Sequence, residues 1–204
     1  YQLLSPEKNV TRSPRSYNSQ IGVPLSVWNL DERSEVGLFE AGISEPGEME
    51  ALQSVIQPTI GVFTCLGDAH QENFTSYEQK CLEKLKLFKD AKVLVYDMDD
   101  ARVVGCVNRS AFKGEYFAWS RQRRDVPLYI ASVEKREAET VVSYIYKGKE
   151  AACSIPFIDE ASLANSVSCL AVCLHLGMSP ETIAARMAVL EPVAMRLEVK
   201  EGRS

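Results

Sequence analysis

Two side chains in the first half of the chain have the types and placement that a divalent cation requires. Glu40 closes the apolar run VGLFEAG, and His70 follows a second apolar run in CLGDAHQENFTS. If the two runs are neighbouring parallel strands, their carboxyl ends bring a carboxylate and a neutral imidazole to one crevice. Waters and phosphate oxygens can then complete the coordination of a metal. Polar residues at strand ends also serve as caps or solvated loop groups, and a loop histidine can make one simple hydrogen bond, so both readings stand. Lys84 lies beyond the His70 loop beside Lys80, Lys86 and Lys89, which taken alone is a solvated basic face. Asn18, in a Tyr-Asn-Ser-Gln run, reads as a turn or cap residue. Asn165 reads as a surface position, His175 as a structural group or a favourable charge at a helix end, and Arg121, Arg123, Arg124 and Asp125 as a solvated charged loop.

These residues need a scaffold, and the hydrophobic pattern supplies one. Tyr1, Leu3 and Leu4 read as the end of a helix stopped at Ser5-Pro6. IGVPLSVWNL (21–30) reads as a short helix with Pro24 in its first turn, where a missing N–H costs nothing. VGLFEAG (36–42) and TIGVFTCLG (59–67) have the composition of strands buried on both faces of a parallel sheet, with a crossover helix over 46–56 between them. A helix from Ser76 to about Lys89 carries Leu82, Leu85 and Phe88 at helical spacing and opens on Ser-x-x-Gln, a capping-box pattern. KVLVYD (92–97) follows as a strand, so the first half has the strand–helix alternation of a doubly wound α/β sheet. In such sheets ligands sit beyond the carboxyl ends of the strands.

The second half changes character. Residues 127–157 alternate in the manner of antiparallel strands turning at Lys147-Gly148-Lys149. Leu163, Val167, Leu170 and Leu174 mark the buried stripe of a helix ending near Gly177, and Ser179-Pro180-Glu181 opens another with cap, first-turn proline and acid in order. The segment 195–202 reads as a strand or linker leaving the domain. The expected organisation is a main parallel-sheet part (1–126), an antiparallel β part (127–157), and closing helices with an exit (158–204).

Composition excludes several function classes. The 204 residues are 46% hydrophobic and 25% charged with a net charge of −5, the profile of a folded globule. There is no dense Lys/Arg face of the kind that neutralises many phosphates, so nucleic acid is not an expected partner. No apolar run approaches bilayer length and no signal peptide opens the chain, which points to the cytoplasm. Six cysteines without a CxxC pair suit reduced, buried thiols; Cys169 and Cys173, one turn apart, lack the second pair that a tetrahedral metal site needs.

The order of the motifs is more telling than any one of them. NSQIGVPLSVWNL, then FEAGISEPGEME, then PTIGVFTCLGDAHQENFTSYEQKCLEKLK resembles the central domain of the Mur ligases, within them the MurF type that adds D-alanyl-D-alanine to a UDP-muramoyl tripeptide. The similarity continues through NSVSCLAVCLHLGMSPETI and the arginine of MRLE, and is weakest from about 99 to 157. The resemblance implies a P-loop NTPase-like, doubly wound, mostly parallel sheet with an added antiparallel β subdomain. It also implies that Glu40 and His70 bind Mg²⁺ near the ATP γ-phosphate, that Lys84 is carbamylated and joins the metal site, and that Asn165 contacts adenine. Arg196 would approach the ATP phosphates and Asn18 would face the muramoyl substrate. A carbamate makes chemical sense at Lys84, because an ammonium repels a cation that a carboxylate-like group coordinates.

The chain departs from the family pattern at Ser19 (usually Asn), at Lys86 (usually acidic), at Asp97-Met98-Asp99 (usually Asn-x-Asp) and at Ala161 (commonly His). No G-x-x-x-x-G-K-[ST] occurs, so the expectation is a fragment lacking the first strand and P-loop and inactive alone, flanked by N- and C-terminal domains of the same polypeptide. The implied reaction activates a UDP-muramoyl peptide carboxylate with ATP and couples it to D-Ala-D-Ala. A folylpolyglutamate-synthase-like ligase and a non-catalytic interaction module are the alternatives. Some ligases of this type precede a fused alanine racemase, and pyridoxal phosphate would belong only to that domain, since nothing in these residues supplies a racemase site.

Overall fold

The computed structural model describes residues 1–14 and 17–192. Residues 1–8 wind in helical turns, with the Leu4 N–H donating to Tyr1 O and the Lys8 N–H to Leu4 O, and bury Leu3 and Leu4. The elements that follow are β1 (Val10–Arg12), α1 (Gly22–Val27), β2 (Val36–Leu38), α2 (Glu48–Ile56), β3 (Ile60–Phe63), α3 (Tyr77–Lys86), β4 (Val93–Asp97), α4 (Ala101–Arg109) and β5 (Glu115–Ser120). Then come β6 (Leu128–Lys135), β7 (Thr140–Tyr146), β8 (Lys149–Ile155), α5 (Glu160–His175) and α6 (Pro180–Met187). The expected strand or linker at 195–202 lies outside the described residues.

A six-stranded sheet runs in the order β3-β4-β5-β6-β7-β8. β3 to β6 are parallel, β6 to β8 antiparallel, so the hairpin strands continue the parallel sheet instead of standing apart from it. β6 manages both pairings along its length: Leu128 and Tyr129 oppose β5, while Leu128 to Lys135 oppose β7 with a register shift between Ile130 and Ser132. The β7–β8 connection places Lys147 (φ 50°) and Gly148 (φ 74°) in the left-handed region, as a two-residue hairpin turn demands.

VGLFEAG does not become a doubly buried strand of this sheet. β2 is three residues long, pairs in parallel only with β1, and exposes Gly37. β3, in contrast, lies in the large sheet with Phe63 and Gly61 buried. The two strands expected to be parallel neighbours are therefore not hydrogen-bonded to each other among the described residues.

Strand alternation sends successive residues to opposite faces. Val93, Val95, Phe117 and Trp119 join Leu3, Leu4, α5 and α6 in one core; Leu94, Tyr96 and Ala118 join α2, α3 and α4 in the other. Each fully buried aliphatic side chain contributes about 1.5–3 kcal/mol through removal from water. α5 is tied to the sheet by a polar contact as well, Trp119 Nε1 donating to Ser168 Oγ at 3.2 Å. Its end near Gly177 (φ 80°) is the expected left-handed cap, and His175 there lies edge-on to Phe117. α4 and β5 are additional to the elements expected from the sequence; Asp100 caps α4 through the Arg102 and Val103 N–H groups, and Val103, Cys106 and Val107 form its buried stripe.

Candidate metal and nucleotide site

α3 is anchored at its start by local chemistry. Ser76 Oγ accepts the Gln79 N–H at 3.1 Å, while Gln79 Oε1 reaches back to the Thr75 N–H at 2.7 Å and the Thr75 hydroxyl at 2.8 Å. The capping box thus closes one residue further back than its usual form. Ser76→Ala should cost about 1 kcal/mol, read as a loss of roughly 2–4 °C in Tm by calorimetry.

From that helix two lysines reach the loop that carries His70. Lys84, half-buried, donates from Nζ to Cys65 O at 3.2 Å. Lys80 is 1% exposed and donates to Gly67 O at 2.6 Å and Ala69 O at 2.5 Å. The solvated basic face expected of these residues is therefore wrong for Lys80: its position turns inward beneath the loop. Burial holds the Lys84 amine below the ordinary lysine range, and the Lys80 charge pushes the same way against Cys65 and Cys81. Lys86 stays exposed and pairs with Glu83 at 2.7 Å, so the basic residue at a usually acidic position is neutralised within the helix. Glu83 also accepts the Gly47 N–H at 2.6 Å, joining α3 to the start of α2.

His70 is exposed and sits at φ 58°, a left-handed backbone costly for a residue with a Cβ. A short 3₁₀ turn over Gln71–Asn73 follows it. Glu40, also exposed, accepts a hydrogen bond from Asn18 Nδ2 at 3.1 Å. The Gly42 N–H donates to Asn18 O, and a Cβ at Gly42 would come within 3.1 Å of the Asn18 amide, so glycine there permits the Asn18–Glu40 approach. The two loops are linked downstream, Asn73 Nδ2 donating to Ser44 O at 2.9 Å. Asn18 and Glu40 are thus directly joined, and His70 and Lys84 share one loop through its carbonyls. Loop contacts, not strand pairing, connect the Glu40 segment with the His70 segment.

Asn165 is exposed on α5, which packs on the face of the sheet opposite α3, and no described contact joins it to the others. Arg196 lies outside the described residues. Among the described residues no group of three or more His, Cys, Asp or Glu side chains gathers as a metal site. Four cysteines are buried as expected, but Cys65 and Cys169 are exposed.

A cleft of about 390 Å³ opens where β4 and β5 end beside α5, lined by Asp97, Asp99, Trp119, Arg121, Gln122, Val133, Glu160, Leu163, Ala164 and Val167. Arg121 is no free loop charge here: Nη1 donates to Glu160 Oε2 at 3.1 Å, and Glu160 also pairs with Lys135 at 2.7 Å. Asp99 accepts the Ser120 hydroxyl and, at 2.7 Å, the Arg121 N–H. Burial pushes the Asp97 carboxyl above its usual range, with Asp99 and Asp100 adding to the shift. A raised carboxyl pKa contributes stability that is present at low pH and lost as pH rises through the folded value. Asp97→Asn should therefore raise Tm by about 2 °C at pH 7, and the gain should vanish near pH 3; melts at the two pH values check it.

The sequence model of the Mur ligase middle domain matches residues 1–173, and the chain belongs to that family. It is 25% identical over 205 residues to the UDP-N-acetylmuramoyl-tripeptide–D-alanyl-D-alanine ligase of Bacillus subtilis, covering 98% of this chain and 42% of that protein. Among solved structures, MurF from Acinetobacter baumannii superposes with a TM-score of 0.86 at 18% identity, over 98% of this chain and 44% of that one. MurF from Thermotoga maritima, solved in complex with ADP, gives 0.82 at 23% identity, over 98% and 46%. The chain thus spans less than half the length of these relatives. No helix among the described residues is long and apolar enough to cross a membrane.

Proposed function

We propose that this chain is the ATP- and metal-binding core of a cytoplasmic ligase that joins D-alanyl-D-alanine to a UDP-muramoyl tripeptide in the making of peptidoglycan. The observation that supports it most is the alignment along 98% of the chain with a ligase of that name. In this reading the peptide's terminal carboxylate attacks the γ-phosphorus of ATP, forming an acyl phosphate and releasing ADP. The D-Ala-D-Ala amine then attacks the acyl carbon, expels phosphate, and gives up a proton as the amide forms.

The donor chemistry suits Mg²⁺: Glu40 offers a hard carboxylate oxygen and His70 an imidazole, both solvent-facing. Bound there, the cation would neutralise charge on the transferring phosphoryl group. The residues of the chain do the rest. Asn18 orients the Glu40 carboxylate, and the loop carbonyls hold the Lys84 amine beside the His70 segment. As an ammonium, Lys84 opposes a cation; burial lowers its affinity for a proton, and an unprotonated amine that attacks CO₂ and loses a proton becomes a carbamate, which fits. Asn165 would contact adenine, with Arg196 at the phosphates, and domains on either side of this chain in the same polypeptide would complete the substrate sites.

The test is ATP-dependent condensation of UDP-muramoyl tripeptide with D-Ala-D-Ala by the ligase carrying this domain, with folate plus glutamate as the competing substrate pair. Product with the folate pair alone would overturn the reading. The 204-residue chain by itself is expected to give no condensation, since it contains no G-x-x-x-x-G-K-[ST] to cradle the β- and γ-phosphates. In ¹³C-bicarbonate the intact ligase should show a carbamate resonance that is absent from Lys84→Arg; no such resonance would remove Lys84 from the metal site.

A further inference from the structure

Lys80 is the most unusual charged group in the described molecule. Among the described residues it is the only buried lysine, with 1% of its surface exposed, and it is paired with no carboxylate among them. Burying an ammonium without a counterion is costly, so carbonyl dipoles aimed at it must compensate. Two do: Gly67 O at 2.6 Å and Ala69 O at 2.5 Å. The Phe74 ring lies on a further side, 5.9 Å from Nζ. The two carbonyls lie two residues apart on the loop, so one ammonium spans Gly67-Asp68-Ala69.

The second carbonyl matters most. Ala69 O belongs to the peptide unit whose nitrogen is that of His70. The φ of His70 is the rotation about the bond leaving that unit, and it stands at 58°, in the left-handed region. Only a surrounding structure that over-determines such a conformation keeps a residue with a Cβ in it. The other holds on this stretch are the Gln71 N–H, which donates to Asp68 O at 3.1 Å and closes a turn over Ala69 and His70, the Tyr77 hydroxyl, which donates to Asp68 at 2.7 Å from the exposed side, and the 3₁₀ turn that follows His70. His70 itself is exposed to solvent.

We propose that Lys80 is a positioning residue: its buried ammonium clamps the Ala69–His70 peptide plane and so sets the direction in which the His70 imidazole is presented. The proposal deepens the ligase reading above, in which that imidazole is a metal ligand. Lys80 touches no substrate; it acts through the loop. Its place on α3 one turn before Lys84 means that a single helix face supports both the imidazole and the amine of the site, so displacing the loop from Lys80 also removes the Cys65 carbonyl from Lys84.

Hydrogen exchange and NMR on the 204-residue chain, with kinetics on the ligase carrying it, provide the test. In Lys80→Met, which keeps the length and apolar stem but not the charge, amides of residues 66–73 should exchange at least 10-fold faster. The φ-sensitive three-bond coupling of His70 should move to the value of an ordinary right-handed or extended residue, while amides of β4 and β7 stay unchanged. In the ligase, the Mg²⁺ concentration for half-maximal rate should rise at least 10-fold with the KM for D-Ala-D-Ala unmoved. If Lys80→Met does not fold, Lys80→Gln, which retains two N–H donors without charge, is judged by the same readouts. An unchanged His70 coupling and unchanged exchange over 66–73 overturn the proposal whatever the ligase does. A loosened loop with no change in Mg²⁺ requirement in either Lys80→Met or His70→Ala leaves the clamp standing and overturns the metal-ligand reading instead.

Discussion

Glu40→Ala and His70→Ala, each introduced into the ligase that carries this domain, should lower kcat for ATP-dependent condensation by about 10²–10³-fold. That corresponds to roughly 2.7–4 kcal/mol of lost transition-state stabilisation, the range seen when one preorganised electrostatic contact to a transferring group is removed. The loss should fall on kcat and on Mg²⁺ affinity and spare the KM for D-Ala-D-Ala. Both side chains are exposed and outside the two cores, so each change should alter stability by no more than about 1 kcal/mol. This separates a chemical defect from a folding defect. Calorimetric titration of Mg²⁺ and ATP beside the rate assay makes the distinction; binding and rates indifferent to both substitutions would favour a protein that keeps the fold without the chemistry.

Gly114→Ala should be the most damaging small substitution in the scaffold. A Cβ there meets the carbonyl oxygen of Lys92, lies 2.6 Å from the Phe112 ring and 2.7 Å from Ala91 O. Two of these three are backbone atoms, so rotating a side chain cannot relieve the overlap. The Lys92 carbonyl is also the acceptor of the Glu115 N–H at 2.8 Å, the bond that starts the β4–β5 pairing. Pushing it away separates the strands whose ends carry Asp97 and Trp119. A cost of about 3 kcal/mol is expected, the upper part of the range for overpacking, and a fall of roughly 6–12 °C in Tm for a chain of this size. A melt within 2 °C of the parent protein would show that the β4–β5 entry relaxes freely.

Much of the scaffold is local and therefore readable. α3 follows from Ser76, Gln79 and Leu85, though it ends at Lys86 and leaves Leu82 half-buried and Phe88 just beyond its last turn; α6 follows from Ser179, Pro180 and Glu181; the β7–β8 turn follows from Lys147-Gly148. Each depends on side chains within one or two turns of sequence. α4 and β5 carry local signals of their own, the Asp100 cap and the apolar run YFAWS, in a stretch where the family likeness is weakest. The length of β2 was not legible, because an apolar run does not reveal how many residues find a partner. The burial of Lys80 is hidden for the same kind of reason. Lysines at 80, 84, 86 and 89 look like a solvated face until the loop from the neighbouring strand folds over one of them.

What the linear order of residues determined on its own was the family, the α/β class and the side chains able to do chemistry, since these depend on residue type and short-range spacing. Only the tertiary structure decided that Glu40 is bound by Asn18, that Arg121 is held by Glu160, and that Lys80 supports the His70 loop from beneath. Those contacts join residues 11 to 39 positions apart in sequence. No periodicity encodes such pairs; they form when the closing of the sheet and its helices brings distant segments together, and only for Lys80 does burial oblige the polar group to find a partner there.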